Sequence, residues 1–364
     1  MPIELSVITS LQAFKECKPK WERFRQKQND NAMCNSWHWM NTWLAVFERP
    51  QDKLYIHIWS FNEEVVGIIP CYIKKTFAGN ELRFIATGEP TCSEVCSEFQ
   101  DFMLDDKFSD KILEQFSKKI VNDKYISAIF FDNILTTSNA YKWLESINIK
   151  NWKKTVKHLG NRYLIPVKQI QKEQVFSFKS KNIKRHAKKI LADTRWNVTV
   201  ITEVSELKNF YQKLIKEHNA GWNKRGKVGA FEQSDFVKFH QVFSQEALKK
   251  NKLLAFNLEC EKEFCALFYG IIDGDILYYY QSAVNHDSKL SSAGVAMHIA
   301  ALTVAHENNL AFYDLMKGDV NSYKAQYIES NIEVVNSSIF TLKYKCLNNS
   351  LKVFRKLTTK IAKK

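Results

Sequence analysis

The chain has 364 residues, of which 53 are Lys or Arg and 39 are Asp or Glu, so its formal net charge is +14. Hydrophobic residues at 45% and charged residues at 25% exclude wholesale disorder, and the 11 glycines and 6 prolines exclude collagen-like and low-complexity chains. At roughly 150 residues per domain, the length predicts two domains.

A regular order of helices and strands is predicted along the first half of the chain. Runs that alternate between apolar and polar residues indicate strands, and apolar residues three or four apart indicate a helix. The predicted elements are a helix at 36–46, strands at 54–60, 65–73 and 82–86, a helix at 108–121 and a strand at 126–133. A long loop with acidic residues and cysteines precedes the second helix.

The second half repeats this order. Helices at 207–218 and 236–249 are followed by strands at 253–258, 264–272 and 276–284, a helix at 292–308 and a strand at 310–316. The final strands of the two halves carry Asp132 and Asp314 near their ends. The repeat predicts an α/β (α+β) fold of two tandem domains, each a mixed, mainly antiparallel sheet flanked by helices.

The polar and basic residues 151–172, around Pro166, are expected to link the two units. We therefore predict an N-terminal domain at residues 1–160 and a C-terminal domain at residues 161–340. A basic, amphipathic C-terminal helix is predicted at residues 341–364.

Positive charge is concentrated in two segments. In a helix over residues 179–189, Lys181, Arg185 and Lys189 share one face. The tail from Lys343 to Lys364 carries eight Lys or Arg and no acid, with apolar residues at helical spacing. That tail either docks on the protein with its lysines in solvent, or contacts an anionic membrane or an envelope synthesis complex. No zinc-finger, RNP-type or helix-turn-helix motif supports nucleic-acid readout.

The sequence lacks the patterns of export and membrane insertion. The first ten residues have no basic start and no apolar run, and no stretch of about 18 apolar residues occurs. We expect a cytoplasmic protein, free or peripheral at the inner face of the membrane. The eight cysteines lack the spacing of a zinc site, so we expect reduced thiols and no metal.

A stretch of small residues opens the helix predicted at 292–308. It reads Ser291, Ser292, Ala293, Gly294, Val295, Ala296. Small side chains at a helix start expose backbone N–H groups, which with the helix dipole favour a phosphate or pyrophosphate. The alternative is a serine-capped helix without a ligand.

The corresponding loop of the first half has the opposite character. Between residues 86 and 108 it carries Glu89, Glu94, Glu98 and Asp101. Because these carboxylates would repel a phosphate, we expect any phosphorylated cofactor to bind in the second half.

The duplicated unit with its small-residue helix start resembles the GNAT N-acyltransferase fold. More narrowly, the second half resembles the cellulose-biosynthesis-associated acetyltransferase-like (CelD/BcsL-type) family, which is distantly similar to the Fem-type aminoacyltransferases. The stretches that carry this resemblance are H-N-A-G-W-N-K-R-G at 218–226, G-A-F at 229–231, Y-Y-Y at 278–280, S-A-G at 292–294, Y-D-L-M-K-G-D at 313–319 and Y-K at 323–324. The similarity covers nearly the whole chain, and its specific motifs lie within residues 218–327.

The resemblance implies acetyl-CoA or another acyl-CoA as co-substrate. Its pyrophosphate would lie on the N–H groups around Gly294, and its pantetheine along residues 276–283. Ser291 stands where these enzymes usually have Gln or Arg, so a long donor side chain to the pyrophosphate is missing. Fem-type relatives use an aminoacyl-tRNA instead of acyl-CoA. Because the chain carries a large positive charge, an aminoacyl-tRNA is an alternative donor here.

Acyl transfer to an amine requires that the acceptor lose a proton and that the oxyanion be stabilised. Asp314 is predicted to accept the proton or orient the acceptor, or else to be a buried structural residue at the turn after its strand. Lys324 is predicted to hold an anionic acceptor or the thioester side of the donor, or else to be a solvated lysine. Tyr280 is predicted to protonate a leaving thiolate, or else to pack in the core.

The acceptor is predicted to bind beside the helix at 207–218. His218 and Trp222 share a helix face, so Trp222 can stack on a sugar ring while His218 titrates near neutrality. The alternative is a packed helix pair. Arg225 follows and can bind a phosphate or carboxylate, and Tyr323 joins the acceptor site as part of the Tyr-Lys pair.

These observations favour an acyltransferase that moves an acyl group, expected to be acetyl, from acyl-CoA to an amine or hydroxyl of a sugar or a cell-envelope or exopolysaccharide precursor. One alternative is a Fem-like transferase that uses an aminoacyl-tRNA. The other is a non-catalytic protein that docks on an envelope polysaccharide complex, which the missing Gln or Arg before Gly294 favours.

Overall fold

The computed structural model describes residues 2–28, 32–167, 178–285, 287 and 292–361, with backbone alone for residues 352–361. In this part of the chain the strands are β1 (Glu4–Ile8), β2 (Lys53–Phe61), β3 (Glu64–Thr76), β4 (Gly79–Phe84), β5 (Met103–Leu104), β6 (Ala128–Leu135), β7 (Trp152–Pro166), β8 (Trp196–Val200), β9 (Leu253–Cys260), β10 (Glu263–Asp273), β11 (Ile276–Val284), β12 (Phe312–Gly318) and β13 (Glu333–Thr341). The helices are α1 (Leu11–Glu16), α2 (Lys18–Lys27), α3 (Trp37–Phe47), α4 (Ser109–Asn122), α5 (Asn139–Ser146), α6 (Lys181–Ala192), α7 (Val204–Asn223), α8 (Ser234–Lys249), α9 (Ala293–Glu307) and α10 (Leu342–Ile361).

The predicted fold class is confirmed. The strands form one mixed, mainly antiparallel sheet flanked by helices, in the order β1-β2-β3-β4-β6-β13-β7-β12-β11-β10-β9-β8, with β5 paired to β3. Two neighbouring pairs are parallel, β4 with β6 and β11 with β12. β6 and β12 are the final strands of the two predicted repeats, so each repeat ends in a parallel pair.

The middle of the sheet joins the two halves by an exchange of strands. The late strand β13 pairs with β6 of the first half, and β7 pairs with β12 of the second half. Residues 152–166, which the sequence predicts as a polar link, form the 15-residue strand β7 instead. The predicted boundary between residues 160 and 161 falls inside this strand, and the division into two domains stays a prediction.

One hydrophobic core is shared by both halves. On one face of the sheet, α2 and α3 of the first half and α7 and α8 of the second half pack in a single cluster. Trp39 of α3 illustrates the contact, because its ring centre lies 4.7 Å from that of Phe239 and 5.6 Å from that of Tyr280. On the other face, α4 and α5 cover the first half, and α6 and α9 cover the second half.

The C-terminal helix α10 docks on the first half. Tyr344 packs with Ala78, Ala128 and Phe340 at one end of the sheet, and its hydroxyl donates to a carboxylate oxygen of Glu81 at 2.5 Å. Among the described residues, no helix is long and apolar enough to cross a membrane. The same part of the chain contains no cluster of side chains suited to a metal ion.

Candidate donor and acceptor site

The parallel strands β11 and β12 separate soon after they begin. They pair through three residue pairs, of which the last is Tyr278 with Asp314. A backbone bulge turns β12 away, since Met316 has a φ of 64° and the register with β7 shifts between Asp314 and Lys317. Beyond Tyr278, the edge of β11 that faces β12 has no strand partner within the described chain.

Asp314 holds this bulge in place. One of its carboxylate oxygens accepts the N–H of Met316 at 2.7 Å, and the other accepts the Nε of Arg162 at 2.7 Å. The carboxylate is fully buried, and burial raises the pKa of Asp314 although the Arg162 guanidinium opposes the shift. These contacts support the structural alternative for Asp314, and its role as a proton acceptor stays a prediction.

The start of α9 lies near the end of β11, where Ala293 and Val284 belong to one apolar cluster. The N-cap residue is Ser292, whose side chain makes no capping hydrogen bond, so the first N–H groups of the helix lack a side-chain cap. A Cβ atom added at Gly294 would meet no atom within 4 Å. Ala293 and Ala296 are buried, and Gly294 and Val295 are partly exposed.

Ser291, the first residue of the predicted donor site, lies outside the described residues. The described part of the predicted site therefore provides an uncapped helix start with open space at Gly294. Such a start suits a phosphate or pyrophosphate, because its N–H groups and the helix dipole point at the ligand.

Lys324 bridges the gap between the separated strands. It lies in a short 3-10 turn, Tyr323–Gln326. Its Nζ donates to the backbone oxygen of Lys317 on β12 at 2.7 Å, and lies 5.9 Å from the ring centre of Tyr279 on β11. Burial lowers the pKa of Lys324, and the carboxylate of Glu98 acts in the opposite direction. Lys324 is thus a partly buried cation at the gap rather than a solvated surface lysine.

Neutral rings from α9 and the strands form the floor of the gap. The Nδ1 of His298 lies 2.8 Å from the hydroxyl of Tyr313, and its ring meets the ring of Tyr279 edge-on with centres 4.9 Å apart. Burial lowers the pKa of His298 to about 3, so the imidazole is neutral at pH 7. These contacts fix α9 against both strands.

A cleft of about 620 Å³ opens beside the separated strands. Its walls come from α7 and the loop after it, from the later half of β11, and from residues 91–96 of the first half. Four residues predicted from the sequence line it, namely His218, Trp222, Arg225 and Tyr323. The structure thus brings together the predicted acceptor residues.

These acceptor residues contact one another. The indole N–H of Trp222 donates to the Nε2 of His218 at 3.0 Å, and the guanidinium of Arg225 lies 4.6 Å from the centre of the Trp222 ring. His218 is 7% exposed, with its ring edge-on to Phe231. Burial lowers the pKa of His218, which favours the neutral form of its imidazole.

Tyr280 lies in the shared core, whereas Tyr323 is exposed. The Tyr280 hydroxyl donates to the backbone oxygen of Val95, and its ring packs against Trp39 and His240. Burial raises the pKa of Tyr280 well above its ordinary value. We assign Tyr280 to the packing between the halves on these contacts. Its predicted role as a proton donor stays a prediction.

The acidic loop of the first half reaches the second half. A carboxylate oxygen of Glu98 accepts the backbone N–H of Lys317 at 2.9 Å, and the Lys317 ammonium lies 3.6 Å from the other oxygen and donates to Asn133. Cys92 and Cys96 of the same loop line the cleft. The loop that the sequence sets aside as repelling phosphate is therefore one wall of the site.

Sequence reasoning did not find Arg162, Glu98 or Lys317 as parts of the site. Each acts through a partner far along the chain, since Arg162 lies 152 residues from Asp314 and Glu98 lies 219 residues from Lys317. No local pattern marks such pairs. The one available signal was the acid-rich composition of the loop.

The sequence matches a known family in the half that contains this site. Residues 177–325 match the profile of the family described as Acetyltransferase (GNAT) domain. The match supports a transferase with a GNAT domain in its second half. A search of the curated proteins found no match.

Solved structures share the fold along most of the chain. A crystal structure of FemX aligns with a TM-score of 0.61 at 12% identity, covering 95% of this chain and 99% of FemX. L-PGS from Bacillus licheniformis aligns with a TM-score of 0.52 at 10% identity, covering 89% and 91%. A conserved protein of unknown function from Bacteroides thetaiotaomicron aligns with a TM-score of 0.51 at 11% identity, covering 93% and 100%. At these identities the likeness concerns the fold, and the narrower resemblance to the CelD/BcsL-type family stays a prediction.

Proposed function

We propose that the protein transfers an acyl group, acetyl in the first instance, from acyl-CoA to an amine or hydroxyl of a sugar or cell-envelope precursor. The observation that carries this proposal is the gap between β11 and β12, which leads to the uncapped start of α9 at Gly294. The pyrophosphate of the donor binds the N–H groups at that helix start. The pantetheine amides pair with the free edge of β11 beyond Tyr278.

Lys324 is proposed to act on the thioester. Because its Nζ already bridges β12 and the ring of Tyr279, it lies where a donor placed in the gap would carry its acyl group. A cation there stabilises the oxyanion that forms as the acceptor attacks. The partial burial of Lys324 strengthens this effect, since less water screens the charge.

The acceptor is proposed to enter through the cleft lined by Trp222 and Arg225. The Trp222 ring offers an apolar surface for a sugar ring, and Arg225 offers a cation for a phosphate or carboxylate. An attacking amine must lose a proton, and the neutral His218 is the cleft residue to which we assign its removal. Protonation at Nε2 displaces the indole N–H of Trp222, so the two side chains respond to the acceptor together.

A second candidate is transfer from an aminoacyl-tRNA. It is favoured by the basic helix α6, which packs against α9 and exposes Lys181, Arg185, Lys188 and Lys189. The full-length likeness to FemX points the same way. This candidate predicts affinity for tRNA that falls steeply with salt, because lysine contacts to phosphates release counterions.

The test is a calorimetric titration with acetyl-CoA. We expect micromolar affinity, about −8 kcal/mol, and its loss in Gly294→Glu, which puts a carboxylate at the helix start. The matched control is Ser205→Glu, which puts the same charge in the exposed first turn of α7 and should leave binding intact. No heat with any short acyl-CoA would overturn the donor assignment. Salt-sensitive tRNA binding would then support the second candidate, and its absence would leave a non-catalytic docking protein.

A further inference from the structure

Three large apolar side chains are exposed at one end of the sheet in the first half. Phe77, at the tip of the β3–β4 hairpin, is 79% exposed, Leu342, at the start of α10, is 53% exposed, and Tyr125, before β6, is 43% exposed. We call these three residues the sheet-end patch. Single exposed apolar residues are ordinary on protein surfaces, but neighbouring ones mark an interaction site.

Hydrogen bonds show that the segments carrying the three patch residues are adjacent. The Asn80 side chain donates to the backbone oxygen of Tyr125 at 3.0 Å, and the N–H of Ser127 donates to the backbone oxygen of Asn80 at 2.8 Å. The N–H of Thr341, next to Leu342, donates to the backbone oxygen of Ser127 at 3.1 Å. The hairpin, the segment before β6 and the start of α10 therefore lie side by side.

Lysines surround the sheet-end patch. The Lys53 ammonium lies 5.0 Å from the centre of the Tyr125 ring. Each of the three patch residues also has lysines within three positions along the chain, namely Lys74, Lys75, Lys124, Lys343 and Lys345. All of these lysines are exposed except Lys74, which is partly buried.

The nearby acids are mostly turned inward. Asp52 has a side-chain exposure of 6% and pairs with Arg49, and Glu81 has 8% and pairs with Arg83. Asp123 accepts the hydroxyl of Tyr55 at 3.2 Å. Glu48 is exposed at the margin. The outward charge around the patch is therefore positive.

A groove runs from the patch along α10. It has a volume of about 690 Å³ and is lined by Arg49, by the hairpin residues Lys74, Lys75 and Glu81, and by Asn348 and Leu351 of α10. The Glu81 carboxylate in this lining is paired with Arg83. Its cations suit a phosphodiester headgroup, because ammonium and guanidinium groups bind phosphate oxygens.

We propose that the sheet-end patch docks the protein on an anionic phospholipid bilayer. Phe77, Tyr125 and Leu342 enter the interface, and the surrounding lysines contact the headgroups. Aromatic side chains favour the membrane interface, and basic residues are attracted to anionic lipid. The sequence predicted membrane contact by the basic tail alone. The proposed docking surface also includes the β3–β4 hairpin and Tyr125. The proposal does not rest on the transferase activity and is tested without substrate.

The experiment is co-sedimentation of the full chain with vesicles of phosphatidylcholine, alone or mixed with phosphatidylglycerol. We expect binding only to the mixed vesicles. Phe77→Ser should weaken it about tenfold. Replacing Lys75 and Lys343 together by Ala should weaken it about 25-fold, fivefold for each lysine. The matched control replaces Lys188 and Lys189 of α6 by Ala, which removes the same charge elsewhere and should leave vesicle binding within about twofold.

Two results with vesicles would overturn the proposal. One is equal affinity for neutral and mixed vesicles, or none for either. The other is equal loss from the two double-lysine variants, which would mean that net charge acts without a defined surface. A change of molecular mass in Phe77→Ser by light scattering, without vesicles, would assign the patch to a second copy of the chain instead. Because Phe77 is 79% exposed, Phe77→Ser should fold as the unsubstituted protein does. Thermal unfolding of the two proteins should give the same midpoint.

Discussion

Removal of the cation from the buried pair Arg162–Asp314 should destabilise the protein strongly. In Arg162→Met, the Asp314 carboxylate stays fully buried but loses its partner at 2.7 Å. An uncompensated buried charge costs about 3–5 kcal/mol. The Arg162 guanidinium also lies 4.6 Å from the centre of the Phe99 ring, and the loss of this contact adds about 0.5–1 kcal/mol. We expect a loss of about 4 kcal/mol, a large part of the 5–15 kcal/mol typical of a folded domain.

Urea unfolding of three variants measures this effect. Adding Asp314→Asn to Arg162→Met removes the unpaired negative charge but keeps an acceptor for the N–H of Met316. The double variant should therefore recover at least half of the lost free energy of unfolding. The control is Arg195→Met, which breaks ion pairs to Asp193 and Glu261 from an arginine that is 54% exposed. Exposed pairs contribute little, so its loss should stay below about 1 kcal/mol.

The deficit of Arg162→Met should also depend on pH. Burial already raises the pKa of Asp314, and loss of the guanidinium raises it further. An acid whose pKa is higher in the folded than in the unfolded protein binds more protons when folded, so acid stabilises the fold in that interval. The deficit should therefore shrink as the pH falls from about 7 to 5. A loss below about 1 kcal/mol, or one independent of pH, would refute the reasoning.

Three further predictions concern Lys324 and the buried histidines. Lys324→Met should lower kcat by about 100-fold, because it removes oxyanion stabilisation, and should leave the Kd of the donor within about threefold; an unchanged kcat would remove Lys324 from the mechanism. His57→Leu should raise the free energy of unfolding by about 1–2 kcal/mol, because both ring nitrogens of this buried histidine lack a hydrogen-bond partner; a destabilised variant in urea unfolding would contradict this. Burial lowers the pKa values of His57, His240 and His298 to about 3. Below pH 6.5 the unfolded chain therefore binds more protons at these histidines than the folded chain does. The free energy of unfolding should fall from there towards pH 3, by up to about 1.4 kcal/mol per pH unit for each histidine. Thermal unfolding across this range checks it, and a flat profile would show that the three imidazoles are not buried neutral.

The sequence predicted well those elements that carry their own local signal. The helix start at Gly294 and the strand β11 were predicted from patterns within a few residues. The strands β7 and β13 were missed because their pairing is with distant strands. β7 in particular is polar, and of its residues only Tyr163 and Ile165 are buried, so its sequence resembles that of a linker.

The electrostatics of the site followed from packing, which the sequence does not show. The lowered pKa of His218 follows from its burial against Phe231, and that of Lys324 from its position between the strands. The acidic loop forms a wall of the site because Glu98 contacts Lys317, a residue of the other half of the chain. Local patterns therefore indicated which residues to consider, and tertiary contacts set the directions of their pKa shifts.

The central claim is that the donor binds in the gap between β11 and β12. Amide hydrogen exchange with and without acetyl-CoA tests it most directly, because bound backbone groups exchange more slowly. We predict protection of residues 279–284 and 292–296, with little change in residues 81–88 beside the equivalent parallel pair of the first half. Protection at residues 81–88 alone, or in neither region, would contradict the account.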